Sequence, residues 1–146
     1  MITTKTGDQG QTTCGNQRIS KDDLLVETVG EIDELESVLE LVGVDKRILD
    51  DLRKIMGELG YGVKYSLLSE RIKQIEREIE KENINLEKFL NFGTKKAQEF
   101  NWVRTVCRRV ERRLVTLNKR DKINMDILVY INRLSDYLFV QAIRNN

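Results

Sequence analysis

Apolar residues recur at three- and four-residue spacing through most of the chain, and the recurrence begins only after the first twenty residues. Val26, Val29, Ile32, Leu35, Val38, Leu39 and Val42 lay one stripe along a helix predicted from about Asp22 to Val44. Ile48, Leu52, Ile55, Leu59 and Val63 predict a second from about Asp45 to Leu67, with Gly57, Gly60 and Gly62 weakening its latter half. Ile72, Ile75 and Ile79 mark one side of a charged stretch from about Ser69 to Asn83, a third helix with a wide solvated face. Asn83 to Gly93 reads as a loop. Val103, Val106 or Cys107, Val110 and Leu114 then predict a long helix from Thr94 to Leu117, and Ile127, Ile131, Leu134, Leu138 and Ala142 another from about Asp121 to Ile143. Short connections force antiparallel neighbours, so the expected fold class is all-α, an up-and-down five-helix bundle. Met1 to Ser20 has no such period, holds three of the nine glycines, and reads as an irregular loop or hairpin ahead of the bundle.

Composition narrows the chemistry more than the fold. The 146 residues suit a single domain, 1–146, with a loop over 1–20 and a helical bundle over 21–146. Lys and Arg number 25 against 24 Asp and Glu, so the net charge of +1 gives no reason to expect a polyanion partner, and any basic site must be local. The absence of His removes Ser-His-Asp and Cys-His nucleophilic sites and His-liganded metals. The absence of Pro lets every periodic stretch run unkinked. Cys14 and Cys107 are too few for a disulfide framework and read as reduced thiols. No apolar run approaches the ~20 residues of a membrane span, and the first residues lack a signal-peptide layout. A cytoplasmic location with no membrane partner is expected.

Four segments offer chemistry. Thr3 to Thr13 supplies hydroxyls, Lys5 and glycine-freed backbone N–H groups, materials that cradle phosphate, although taken alone the segment reads first as a polar N-terminal arm with turn-forming glycines. It lacks the Gly-Lys-Ser/Thr ending of a Walker A loop. Lys21 follows at the mouth of the first helix, as a phosphate contact or a surface lysine. Arg104, Arg108 and Arg112 lie four apart on one helical strip, with Arg109 and Arg113 beside them and a lone Glu111, so a bound anion or acids from other helices must relieve their repulsion. Asn132 and Asp136, also four apart, suit a site between helices or an exposed polar face. Glu31, Asp33 and Glu34 in the first helix are solvated charges or partners for the arginines, and one facing Arg104 would relieve its repulsion.

Together these segments resemble the PduO-type ATP:cob(I)alamin adenosyltransferase family. The resemblance rests on Thr-Lys-Thr-Gly-Asp-x-Gly with Thr12-Thr13, Ser-Lys-Asp-Asp at 20–23, Val-Gly-Glu-Ile-Asp-Glu-Leu at 29–35, Arg-Thr-Val-Cys-Arg-Arg-Val-Glu-Arg-Arg at 104–113 and Tyr-Ile-Asn-Arg-Leu-Ser-Asp-Tyr-Leu-Phe at 130–139, and it spans the chain. It implies transfer of the adenosyl group of ATP to cob(I)alamin, in a homotrimer with sites between subunits. Thr4, Lys5, Thr6, Gly7, Thr12 and Thr13 would wrap the nucleotide, with Lys21 on the phosphates. Arg108, Arg109, Glu111 and Arg112 would hold triphosphate and sugar, and Asn132 would contact the nucleotide. Asp33 would pair with Arg104 across the subunit boundary. Mg²⁺ would be bound mainly through ATP rather than by protein ligands, and the corrinoid would sit in an apolar pocket walled in part by Phe89 or Phe92.

The chain departs from the family at Phe89-Leu90-Asn91-Phe92-Gly93, where the family reads Phe-x-Leu-Pro-Gly-Gly. The family's aromatic closing the lower face of cobalt falls on Lys88 by strict spacing from Arg104, and on Phe89 or Phe92 by residue type. Residues 45–85 carry no family signature. A reductase and an adenosylcobalamin-dependent acceptor enzyme are the protein partners implied. The competing readings are a nucleotide-binding relative without this activity, a purely structural bundle that oligomerises through its arginine and acid faces, and a nucleic-acid-binding helical module. The last is disfavoured by the near-neutral charge and by the lack of an aromatic platform beyond Trp102.

Overall fold

A computed structural model describes residues 1–85 and 90–146. A hairpin of β1 (Gln11–Cys14) and β2 (Gln17–Ser20) precedes α1 (Leu24–Val42), α2 (Lys46–Tyr61), α3 (Leu68–Lys81), α4 (Lys95–Arg120) and α5 (Met125–Arg144). Helix starts follow the polar residues ahead of each apolar stripe. Asp23 and Asp45 accept from the backbone N–H two residues on, at 2.8 Å, and Asn124 does so at 3.0 Å. Thr94 caps α4 through the N–H of Ala97. Each removes one of the unpaired N–H groups of a first turn.

The helices alternate in direction, and the apolar stripes meet along the bundle axis. Ile32, Leu35, Leu52, Ile55, Val103, Val110, Leu114, Ile131 and Leu134 are fully buried. Polar contacts record the packing. Asp23, the N-cap of α1, meets Arg120 of α4, and Glu31 meets Arg113 further along, so α1 and α4 are antiparallel. Glu76 of α3 and Glu82, the residue that caps its C-terminal end, meet Arg133 and Arg144 of α5, which makes α3 and α5 parallel neighbours.

Two expectations change. The second helix ends at Tyr61 instead of continuing to Leu67, because Gly62 takes a left-handed conformation (φ 71°) and returns its N–H to the Glu58 carbonyl. Val63, expected to face inward, is consequently exposed. The N-terminal segment, open between loop and hairpin, is both: an irregular stretch over 1–10 and a hairpin over 11–20. Its two-residue connection, Gly15-Asn16, begins with φ +60° at Gly15, the conformation glycine adopts at no steric cost. The turn lies on the end of α2, where a Cβ on Gly15 would come within 2.5 Å of the Gly60 carbonyl oxygen.

One buried group had no sequence signal. Asp51 on α2 is 2% exposed and accepts hydrogen bonds from the Tyr65 hydroxyl at 2.6 Å, the Tyr130 hydroxyl at 2.7 Å and Arg71 Nε at 2.9 Å. A lone buried carboxylate costs several kcal/mol, roughly, in desolvation. Here three donors from outside α2, two of them on α3 and α5, compensate it and fix how these helices cross.

Candidate functional site

The arginine strip of α4 divides into two sets. Arg109 pairs with Glu34, and Arg113 Nε lies 3.0 Å from Glu31 Oε1, so α1 supplies acids to the side of the strip that faces it. Glu31 Oε2 is buried without a hydrogen bond, 4.0 Å from Arg109 Nε. Arg104, Arg108 and Arg112, the row four apart, form no ion pair among the described residues. Burial and the neighbouring Arg108 charge press the Arg104 pKa downward. Its guanidinium is held instead by Asn101 Oδ1 at 3.0 Å and by the face of Phe139, 5.5 Å from the ring centre. Glu31, Arg109, Arg112, Arg113 and Thr116 border a concavity of about 220 Å³.

On the other side of α4, α5 brings Asn132 to the strip. Its Nδ2 donates to Glu111 Oε1 at 3.0 Å, and its Oδ1 accepts from Arg133 Nη1 at 2.6 Å. Asp136, one turn on, has its pKa raised by burial, with Arg133 and Arg108 opposing and Glu111 adding to the rise. Cys107 is enclosed beneath, its thiol donating to the Ile131 carbonyl and its pKa raised by burial, so it is a packing residue and not a nucleophile.

The N-terminal loop is ordered by its own hydrogen bonds. Arg18 of β2 donates to the Thr6 carbonyl at 2.7 Å and to Thr13 Oγ1 at 3.4 Å, the Thr4 and Thr6 hydroxyls lie 3.0 Å apart, and the Lys21 N–H reaches the Gly10 carbonyl at 2.9 Å. Lys5 holds φ 60°. Gly7 leaves room for Lys21, whose Nζ lies 2.9 Å from where a Cβ on Gly7 would stand. Thr4, Lys5, Thr6 and Thr13 keep their side chains exposed, and Thr12 is half-buried.

Within one chain these two halves stay apart. Asp23, at the mouth of α1 just after the loop and Lys21, meets Arg120, which lies about 18 Å along α4 from Arg108 at 1.5 Å per residue. Asp33 is exposed and makes no ion pair with Arg104 in the chain. Phe92 packs edge-on against Phe139 with ring centres 6.2 Å apart, placing it beside the ring that carries Arg104. Phe89 and Lys88 lie outside the described residues. Asn146, which no motif singled out, accepts from the Gly93 N–H at 2.7 Å and donates to the Asn91 carbonyl at 3.2 Å, tying the end of this loop to the C-terminus.

The sequence model describing cobalamin adenosyltransferase matches residues 2–144. The chain belongs to the cobalamin adenosyltransferase family. The corrinoid adenosyltransferase of Bacillus subtilis (strain 168) is 37% identical, over 95% of this chain and 83% of the relative. A cobalamin adenosyltransferase of Cupriavidus metallidurans is 32% identical, over 97% and 85%. Among solved structures, a point variant of a PduO-type ATP:corrinoid adenosyltransferase from Lactobacillus reuteri, complexed with cobalamin and ATP, superposes with a TM-score of 0.84 at 30% identity, covering 99% of this chain and 91% of that one. The five-helix bundle is thus that of the adenosyltransferase family. No described helix is long and apolar enough to cross a membrane.

Proposed function

We propose that this adenosyltransferase-family protein transfers the 5′-adenosyl group of ATP to cob(I)alamin, releasing triphosphate. The observation that carries the reading is the row Arg104, Arg108 and Arg112, left without acid partners among the described residues and lying beside Asn132 and Glu111, in a chain whose relatives are corrinoid adenosyltransferases. Cob(I)alamin is the nucleophile. Its electron pair forms the cobalt–carbon bond to C5′, and the carbon–oxygen pair leaves with the triphosphate. The protein must align the two reactants and stabilise charge on the leaving group. No histidine base is needed, which agrees with a chain that has none.

Arg108 and Arg112, with Lys5 and Lys21, take the triphosphate, and Arg109 contributes from its pair with Glu34. Thr4, Thr6, Gly7, Thr12 and Thr13 wrap the nucleotide, while Glu111 and Asn132 hold its sugar and base side. Mg²⁺ would be bound mainly through the triphosphate of ATP, where it would help neutralise charge on the leaving group. Phe92, packed against Phe139, is the described candidate for the apolar wall of the corrinoid pocket.

The separation of the Thr/Gly loop from the arginine row along α4 supports a site completed by a second copy, in a homotrimer. Asp33, exposed on α1, then supplies Arg104 with the acid it lacks. We read the protein as cytoplasmic, with a reductase supplying cob(I)alamin and an adenosylcobalamin-dependent enzyme taking the product. The test is an anaerobic assay with reduced cobalamin, ATP and Mg²⁺. A light-sensitive cobalt–carbon product is expected; no product together with no nucleotide binding overturns the reading.

A further inference from the structure

Asn132 is the middle of a hydrogen-bonded chain that crosses three helices. Glu76 on α3 accepts from Arg133 Nε at 2.7 Å, Arg133 Nη1 donates to Asn132 Oδ1 at 2.6 Å, and Asn132 Nδ2 donates to Glu111 Oε1 on α4 at 3.0 Å. The partners at the two ends differ in kind. An ionised glutamate only accepts and a guanidinium only donates, so the amide of Asn132 has a single orientation between them. One amide proton and one carbonyl lone pair are then left over, in fixed directions, for a ligand.

We infer that Glu76 and Arg133 are positioning residues for the nucleotide site, acting through the orientation of the Asn132 amide. The inference rests on the proposed reading that Asn132 contacts ATP. It assigns a role to α3, a helix within the stretch that carries no family motif. Arg133 is suited to the task because its planar fork engages two partners at once: Nε fixes it to α3 while Nη1 reaches the amide. Without Glu76 the guanidinium loses its anchor, so the Asn132 carbonyl loses its fixed donor and the amide is held at its Glu111 end alone. Both Arg133 and Glu76 are about one-third exposed, at 36% each, so losing Glu76 leaves neither an unpaired charge in the core nor a cavity.

The experiment is a double-mutant cycle read by equilibrium binding of ATP to the intact protein, with melting temperature as a check on folding. Glu76→Ala should weaken ATP binding roughly fivefold, the loss of a charge-assisted, orienting contact. Glu76→Gln, which keeps an acceptor oxygen for Arg133, should stay close to wild type. Arg133→Lys, with a single ammonium unable to span both partners, should behave like Glu76→Ala. In an Asn132→Ala background Glu76→Ala should have no further effect on affinity. An equal loss in both backgrounds, or none in the wild-type background, overturns the relay while leaving the nucleotide reading intact. A wild-type protein that binds no ATP overturns the nucleotide reading and the relay with it.

Discussion

Lys21 carries its ammonium to within 2.9 Å of the point where a side chain on Gly7 would begin. The loop is therefore shaped around a charge that belongs to the mouth of α1, and the glycine is needed for space, since its φ is not in the left-handed region. Gly7→Ala should displace only the tip of a flexible lysine, costing less than about 0.5 kcal/mol in stability. It should nevertheless weaken ATP binding, because the ammonium leaves the position from which it meets phosphate in the proposed site. Calorimetric titration with ATP beside a thermal melt separates the two effects. An unchanged affinity would remove the Gly7–Lys21 contact from the site.

Gly15 should respond in the opposite way. Its φ of +60° and the Gly60 carbonyl 2.5 Å from its missing Cβ leave a side chain nowhere to go, because the obstacle is backbone. Gly15→Ala should cost about 1–3 kcal/mol and lift the hairpin from the end of α2. Limited proteolysis should then cut before α1 much faster than in the wild type, while the helical circular dichroism stays largely intact.

Arg108 and Arg109 are adjacent in sequence and differ in what they touch. Arg109 is paired with Glu34, both side chains about half exposed, so Arg109→Ala should change stability by at most about 1 kcal/mol. Arg108 has no acid partner among the described residues, and Arg108→Ala should relieve repulsion with Arg104 while lowering kcat/KM for ATP at least about tenfold, the loss of a charge-assisted phosphate contact. Steady-state kinetics at varied ATP check this. Equal activity of the Arg108 variant and the wild type would remove that guanidinium from the phosphate site.

Asp33 and Arg104 form no pair within the chain, and the proposed homotrimer would bring them together across a subunit boundary. Asp33→Asn should leave the melting of a dilute sample nearly unchanged and weaken self-association, seen as a shift toward smaller species in sedimentation velocity. A variant that remains fully assembled and active would count against the intersubunit pair.

The bundle was legible because each buried stripe keeps helical spacing for about two turns or more, and the arginine row was legible because five like charges in ten residues cannot stay unrelieved. The end of α2 was misjudged for a specific reason. Val63 continues the apolar period, but Gly62 one residue earlier offers a left-handed stop that periodicity does not weigh. The partition of the arginines was open in the sequence, since either acids or an anion could relieve them, and the antiparallel passage of α1 decides it by bringing Glu31 and Glu34 to Arg113 and Arg109 alone. Asp51, Glu76 and Asn146 gave no signal because each acts through partners far away in sequence, from 14 residues for Tyr65 to 79 for Tyr130 in the case of Asp51, and Arg133, though inside a motif, gave no sign of its bond to Glu76, 57 residues away. A charged residue among many on a helical surface looks the same whether or not it closes such a contact.

Asp51 and Tyr130 make stability depend on pH in a direction that can be worked out. Tyr130 is fully buried, and burial together with the Asp51 carboxylate raises its phenol well above the ordinary value of 10.0. Below pH 10 the folded and unfolded chains both keep this proton. Above it the unfolded chain releases the proton while the folded chain retains it, so the folded state binds more protons and stability falls as pH rises. The slope approaches about 1.4 kcal/mol per pH unit while the two states differ by one proton. Tyr65, which shares Asp51 and is also shifted upward, adds in the same direction. Urea denaturation should therefore show a midpoint that declines above about pH 10, beyond what exposed lysines contribute. Tyr130→Phe is the control, because it removes the titrating group and keeps the ring. It should flatten the alkaline decline while lowering stability near neutral pH by roughly 1–3 kcal/mol, since Asp51 then loses one of its donors in the core. Asp51→Ala should be worse, about 3–5 kcal/mol, because it strands the Arg71 guanidinium beside two unpartnered hydroxyls. An alkaline decline of the same steepness in the Tyr130→Phe variant would show that this phenol keeps no proton the unfolded chain gives up.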